Sequence, residues 1–352
     1  MITLEEGYKG VAKGFAISSY SVGEDSLSFR VIPKHSHDAS FNLVKESFRG
    51  TKVYPFYRKS GRDYFITLVI HKGREFSLPA YAHILLIIAT LITVTLAGYI
   101  QWAKGNIIES IVFSISLMTI LMGHELGHYI QARIRKVKAT LPFFIPVPPN
   151  IFPFGTMGAV ITMSEPLTDR STILRVGITG PIVGFLLSLP VIYYGLMHST
   201  IVPSVVAYKK SEIIFVMPLA MQLISMHIFG NIAHGMSIEP NPLAMAGWIG
   251  LFVTALNLIP IGQLDGGHVI RALFPERYTT IYRGAFILLI VLGLFIWPGW
   301  LFWAFIVYLL TRLKHPGPLN DVSGLSRMEK LLGIVYILLL VLSFVPVPFL
   351  MR

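Results

Sequence analysis

His124-Glu125-Leu126-Gly127-His128 sets two imidazoles and a carboxylate close together inside an apolar stretch. In a helix, residues i and i+4 lie on one face about 6 Å apart, so both histidines reach a single metal ion. The pair suits tetrahedral zinc, and Glu125 then stands beside the open coordination position as a general base. Cysteine is absent, which excludes disulfides, thiolate metal sites and thiol nucleophiles and leaves His, Asp or Glu as further ligands. Arg133, which begins a basic cluster, lies nine residues beyond His124, roughly 14 Å of helical rise. The three polar groups therefore sit at membrane depth, where each ionisable side chain costs at least about 2.5 kcal/mol, so that keeping three of them there points to a function.

A third protein ligand leaves the fourth position to water. Asp265 is the acidic residue within the other long apolar runs, in Leu264-Asp265-Gly266-Gly267-His268, six residues before Arg271. That spacing, roughly 9 Å of helix, puts it in the same half of the membrane as the two histidines. His268 shares a helical face with Asp265 and competes for the ligand role, or else supports a ligand from behind.

These groups need a membrane scaffold to hold them. The chain has 352 residues, 54% hydrophobic and 13% charged, too apolar for the surface of an ordinary soluble domain. Its net charge of +11 falls between apolar runs, as in cytoplasmic loops, and does not line one face as nucleic-acid binding requires. Met1 to Gly10 carries Glu5 and Glu6 and no apolar core, so no cleavable signal peptide is expected there. Residues 1–76 read as a small soluble α+β domain, a β-α-β-β module. Leu27, Phe29 and Val31 alternate, Phe41, Val44 and Phe48 have helical spacing, and Val53–Tyr57 and Tyr64–Ile70 flank a Ser60-Gly61-Arg62 turn. This domain is either regulatory, gating substrate, or a passive cap.

Residues 77–352 read as a polytopic α-helical membrane domain of about six to eight spans, with its catalytic core at about 107–274. Spans are expected at Tyr81–Ile100, Ile107–Ile134, Ile173–Met197, Leu243–Leu273 and Leu331–Met351. Ile213–Phe229 is a short span or an interfacial helix, and Ala285–Thr311 is a hairpin bent at Pro298 or one long tilted helix. The basic N-terminal residues, which include Lys72 and Arg74, together with Arg133–Lys138, Arg271, Arg277, Arg283, Arg312 and Lys314, orient a multi-pass protein of the cell membrane with its active site toward the cytoplasm. Between Leu141 and Met163, Pro142, Pro146, Pro148, Pro149 and Pro153 forbid a continuous helix. Gly155–Ile161 is then either a strand in a membrane-embedded, β-hairpin-like segment, offering an edge to an extended substrate, or part of a proline-rich interfacial loop with no substrate contact. His35, His37, His71, His83, His198 and His315 fall in loops or near interfaces as bystanders, and His227 and His234 flank the short apolar segment.

The HELGH pentapeptide on an early span, together with Asn257-Leu258-Ile259-Pro260-Ile261-Gly262-Gln263-Leu264-Asp265-Gly266 on a late one, resembles the site-2 protease family of intramembrane zinc proteases. The likeness runs from about Leu117 to Phe274. Asn241–Trp248 and Phe154–Ile161 are similar to the branch that includes plant chloroplast members, and Gly180-Pro181-Ile182-Val183-Gly184 to that core's glycine-rich packing helix. The resemblance implies one zinc per chain on His124, His128 and Asp265, Glu125 as base, and Asn257 holding the substrate backbone or the oxyanion. Gly155, Thr156 and Gly158 are the further substrate-binding candidates. The function expected is hydrolysis of peptide bonds within or near transmembrane helices of protein substrates, with membrane lipid as a partner and no nucleic acid. A divalent-cation transporter is the alternative, although transport needs no carboxylate beside the first histidine. No pattern in the chain assigns an oligomeric state.

Overall fold

The computed structural model describes residues 3–70, 78–163, 165–204, 213–311, 315 and 317–351. His71, Lys72, Arg74, Arg312 and Lys314 lie outside the described residues, as does the junction expected at residues 76 and 77. The N-terminal unit runs α1 (Leu4–Ala12), β1 (Phe15–Val22), β2 (Ser26–Pro33), α2 (His37–Ser47), β3 (Val53–Ser60) and β4 (Asp63–Ile70). Helix α1 starts where Thr3 and Glu6 satisfy each other's backbone N–H groups in a capping box. It and β1 are additions to the β-α-β-β reading. A bulge between Ile17 and Ser19 breaks the period-two signal that would have revealed β1. The strands form one antiparallel sheet ordered β1-β2-β4-β3 around a core that includes Phe15, Phe29, Phe41, Tyr57, Ile66 and Leu68.

Beyond the junction come α3 (Ala80–Ala97, prolonged by a π turn to Trp102), α4 (Ile107–Ile134), β5 (Phe143–Pro146), β6 (Thr156–Val160) and α5 (Arg170–Met197). They are followed by β7 (Thr200–Pro203), β8 (Ile213–Phe215), α6 (Leu219–Phe229), β9 (Met236–Glu239), α7 (Pro242–Asn257) and α8 (Asp265–Leu273). The chain closes with α9 (Tyr278–Phe295), α10 (Gly299–Thr311), α11 (Arg327–Ser343) and β10 (Phe349–Met351). Among the described residues four helices are long and apolar enough to cross a membrane: Ala80–Trp102, α4, α5 and α9. Helices α6, α7 and residues Gly299–Leu309 of α10 are apolar but shorter.

Several boundaries differ from the hydropathy reading. Leu243–Leu273 is two helices, because Pro260 cannot continue α7 and Gly262 turns the chain at φ +55°. Ile213–Phe229 is a strand followed by a helix, and α11 stops at Ser343 so that β10 can pair with β8. Ala285–Thr311 is a helix pair bent at Trp297-Pro298.

Lipid gives no hydrophobic drive between helices, so close approach depends on small residues. Gly127 of α4 lies against the Thr179 carbonyl and Gly180 of α5, and this contact draws the two longest helices together. At the basic end of the helices, Glu329 in the first turn of α11 accepts hydrogen bonds from Ser171 and from Arg175 Nε, the latter at 3.1 Å. Burial raises this carboxyl, but the bonds from Ser171, Ser326 and Arg175 outweigh burial and hold it at about 2, against an ordinary 4.5. A carboxyl depressed in the fold stabilises above its unfolded pKa and loses that contribution as pH falls. Thermal stability is therefore expected to drop between pH 4.5 and about 2. In melts at neutral pH, Glu329→Gln should cost on the order of 2 kcal/mol and flatten that acid limb.

Candidate active site

Asn106 caps α4 by accepting the N–H groups of Ile108 and Glu109, and the helix then runs unbroken through His124 and His128. The two rings lie edge to face at 64° with centroids 5.0 Å apart, and both are buried. Asp265, the first residue of α8, inserts between them. Its Oδ2 is 3.1 Å from His124 Nε2 and its Oδ1 is 3.3 Å from His128 Nε2. One ligand atom from each of the three residues falls within 4.8 Å of the others. His128 Nδ1–H donates to the Val176 carbonyl at 2.7 Å, which fixes the tautomer and leaves the Nε2 lone pair toward the cluster.

This donor set fits zinc. Ligand atoms at about 2.0–2.1 Å from a tetrahedral ion stand about 3.3 Å from each other, close to the nitrogen–oxygen separations observed. The hard and borderline donors, two imidazole nitrogens and a carboxylate, leave one position open. Glu125 neighbours both histidines, and the backbone N–H of Ile161, just past β6, is directed at its carboxylate.

The rings have room because α5 presents glycines to them. A Cβ at Gly180 would overlap His128 Nε2, and one at Gly184 would stand 2.8 Å from His124 Nδ1. Gly180→Ala is accordingly expected to push the His128 ring aside and weaken zinc binding at least about ten-fold, as loss of ligand positioning does. Gly284→Ala, where a Cβ meets nothing within 4 Å, should leave affinity in a chelator-competition titration unchanged.

His268 does not join the three-residue cluster. Its Nδ1 lies 2.6 Å from His315 Nε2, and His315 Nδ1 in turn accepts the Gly317 N–H at 2.9 Å, so His315 is the donor to His268. Of the bystander histidines, His315 is thus the one tied to the helix that carries Asp265. Hydropathy gave no sign of this, since the contact joins residues 47 positions apart.

The strand near Glu125 spans Thr156–Val160 and pairs antiparallel with β5, Phe143 opposite Val160. Most of the polar groups proposed there for substrate already have partners. The Gly155 carbonyl accepts Thr93 Oγ1–H at 2.6 Å, and Thr156 Oγ1–H donates to the Ile145 carbonyl at 2.9 Å. Gly158 N–H donates to Thr156 Oγ1 at 3.0 Å. The other edge has a different character. Thr162 bonds back to Thr140 while Ile161 N–H is directed at Glu125, and strand alternation puts the Ala159 N–H and C=O on the Ile161 side. Asn257 ends α7, and its side chain has no hydrogen-bond partner among the described residues. The adjacent Leu258 carbonyl packs against Gly266, next to Asp265.

Fold and site together define a helical membrane protein built around a His124-His128-Asp265 cluster that could hold a metal ion. Residues 112–296 match Peptidase family M50, more than half of the chain, and the chain belongs to that family. It is similar to the probable zinc metalloprotease EGY1, chloroplastic, of Arabidopsis thaliana, with 33% identity over 234 residues, 66% of this chain and 42% of the relative. The protein of the same name from Oryza sativa subsp. japonica is 32% identical over 65% of this chain and 39% of its own length. The Arabidopsis EGY2 protein is 28% identical over 65% and 40%. The chain thus matches about two fifths of the length of these relatives. No solved structure matches it. The resemblance to the site-2 proteases, chloroplast branch included, is borne out.

Proposed function

We propose that the chain is an intramembrane zinc endopeptidase that cuts transmembrane protein substrates. The observation that carries this reading is the convergence of His124, His128 and Asp265, from two different helices, beside Glu125. Zinc, when bound, lowers the pKa of its water toward about 7 and polarises the scissile carbonyl. Glu125 accepts the proton of the attacking water and delivers it to the leaving amine nitrogen. Val176 locks the His128 ring in the tautomer that turns Nε2 toward the cluster.

A helical substrate hides its carbonyls in intrahelical bonds and must unwind to be cut. Its extended backbone is best received by the Ala159–Ile161 edge of β6, with Asn257 holding a substrate carbonyl from the α7 side. Ala159→Pro removes one edge donor while leaving the hairpin's inner bonds in place. It should lower kcat/KM roughly five- to ten-fold, the scale of one backbone hydrogen bond, whereas Ala159→Ser should not. Equal loss in both variants would assign β6 a purely structural role.

Arg133, Arg135, Arg170, Arg175 and Arg271 stand at or near helix ends on the side of the N-terminal unit, which favours placing that unit and the nearby catalytic centre toward the cytoplasm of a cell membrane. Division into a soluble domain at 1–76 and a protease domain at 77–352 follows from the same reading, and the short α6, α7 and α10 together with α11 bring the expected span number to six to eight. The decisive experiment purifies the chain in detergent and measures zinc stoichiometry alongside cleavage of a helical peptide. One zinc per chain with chelator-sensitive cleavage supports the proposal; ion flux in liposomes without cleavage would replace it with a transporter.

A further inference from the structure

Residues 317–323 lie between the N-terminal unit and the helix that carries Asp265, and they are bonded to both. On one side they extend the sheet past β3. Tyr57 N–H donates to the Leu319 carbonyl at 2.7 Å, Asp321 N–H donates to the Tyr57 carbonyl at 3.1 Å, and Leu319, 3% exposed, is part of the N-terminal core. Asn320 Nδ2 and the Ser323 hydroxyl both donate to Asp38 at the start of α2. On the other edge, Leu319 N–H and Asn320 N–H donate to the carbonyls of Leu167 and Thr168 at 2.8 Å each, just ahead of Asp169, the N-cap of α5. The segment is therefore a strand-like bridge between two backbones.

The same segment grips α8. Asp321 takes the Arg271 guanidinium in a two-point ion pair, with Nη1 at 3.0 Å from Oδ1 and Nη2 on Oδ2. Arg271 is 5% exposed and its guanidinium carbon lies 4.5 Å from the centre of the Tyr278 ring. Arg58 of β3 reaches the same carboxylate, Nε to Oδ2 at 3.9 Å, and its Nη1 donates to the Leu319 carbonyl at 3.0 Å. One partly buried carboxylate thus serves an arginine from the N-terminal unit and an arginine from α8. Arg170 adds a third hold, its Nε and Nη2 donating to the Ala272 carbonyl at 2.9 and 2.7 Å. Asp265, His268 and Arg271 follow one another at intervals of three along α8, and His268 and Arg271 are held by His315 and Asp321. A helix of nine residues has little rigidity of placement of its own, so these contacts at its far end act together with the packing of Gly177, Gly266 and Gly267 around its first turn to set where Asp265 stands.

We propose that residues 317–323 form a clasp through which the N-terminal unit sets the position of Asp265, with Arg58, Asp321 and Arg271 as its positioning residues. The N-terminal unit is then a control element for the metal centre, because whatever loosens β3 from the clasp frees the far end of α8. A displacement of about 1 Å at a reacting group is enough to cost on the order of 10²-fold in rate. The inference rests on the zinc-peptidase reading for its consequences in catalysis, but the mechanical link stands apart from it.

The test uses the full chain in detergent with Arg58→Ala, which lies in the N-terminal sheet and touches none of the three ligands. Zinc affinity by competition with a chelator should weaken about ten-fold, as when the support behind a ligand is removed. Amide hydrogen exchange in Asp265–Leu273 should quicken, and kcat should fall with KM for a helical peptide unchanged. Arg58→Lys, which keeps the charge, should recover most of each effect. Wild-type zinc affinity and wild-type exchange in α8 for Arg58→Ala would overturn the clasp, and a change in KM alone would make Arg58 a substrate contact instead. If the unmodified chain bound no zinc and cut nothing, the functional reading would fail, while exchange in α8 would still judge the clasp.

Discussion

Glu125→Gln is expected to remove peptide cleavage while zinc stays bound. The amide has the shape of the carboxylate but cannot accept the proton of the attacking water, and general acid–base catalysis contributes about 10²- to 10⁴-fold in rate. None of the three candidate ligand atoms belongs to this residue, so their 3.1 and 3.3 Å separations have no reason to change. The measurement pairs metal analysis with single-turnover cleavage. A transporter would retain ion flux in this variant, and cleavage at the wild-type rate would take Glu125 out of the mechanism.

How much of this could be read beforehand depends on the range of the contacts. The His124–Glu125–His128 triad is local, so helical spacing inside an apolar run was enough to find it. Asp265 was legible because acidic residues are scarce in apolar runs, but its setting was not. A hydropathy window passes through Leu258–Leu264 without interruption, since most of the residues there are apolar or small, and so it hid the break between α7 and α8. The glycines of α5 were visible as a pattern, yet only packing shows that Gly180 and Gly184 make space for the two imidazoles. Asn320 forms isolated bridges to Tyr57 and Asp169, both more than 150 positions away, with no alternation to betray them. Short strands such as β7 and β9 escaped for the same reason, four residues each being too few to establish a period.

Asp265→Ala separates the competing third ligands and should have the largest effect on the metal. With the carboxylate gone, two imidazoles from a single helix remain, and the proposed three-ligand zinc site would be left with two ligands. Zinc should then be lost on purification, with affinity reduced by well over the roughly 10- to 100-fold that attends loss of a ligand's supporting partner alone. His268→Ala is the informative contrast. His268 donates nothing to the cluster of ligand atoms and is held by His315, so its loss should cost about ten-fold in affinity by loosening α8, not by opening the coordination sphere. Gly177 supports this ranking. A Cβ there would stand 2.7 Å from His268 Cβ, so α5 fixes the base of that side chain while His315 fixes its ring. Asp265→Glu probes distance, since the added methylene drives the carboxylate into the space between two buried rings; it should bind zinc weakly and cleave poorly. Retention of full zinc occupancy in Asp265→Ala together with metal loss in His268→Ala would reverse the assignment and make Asp265 the supporting group.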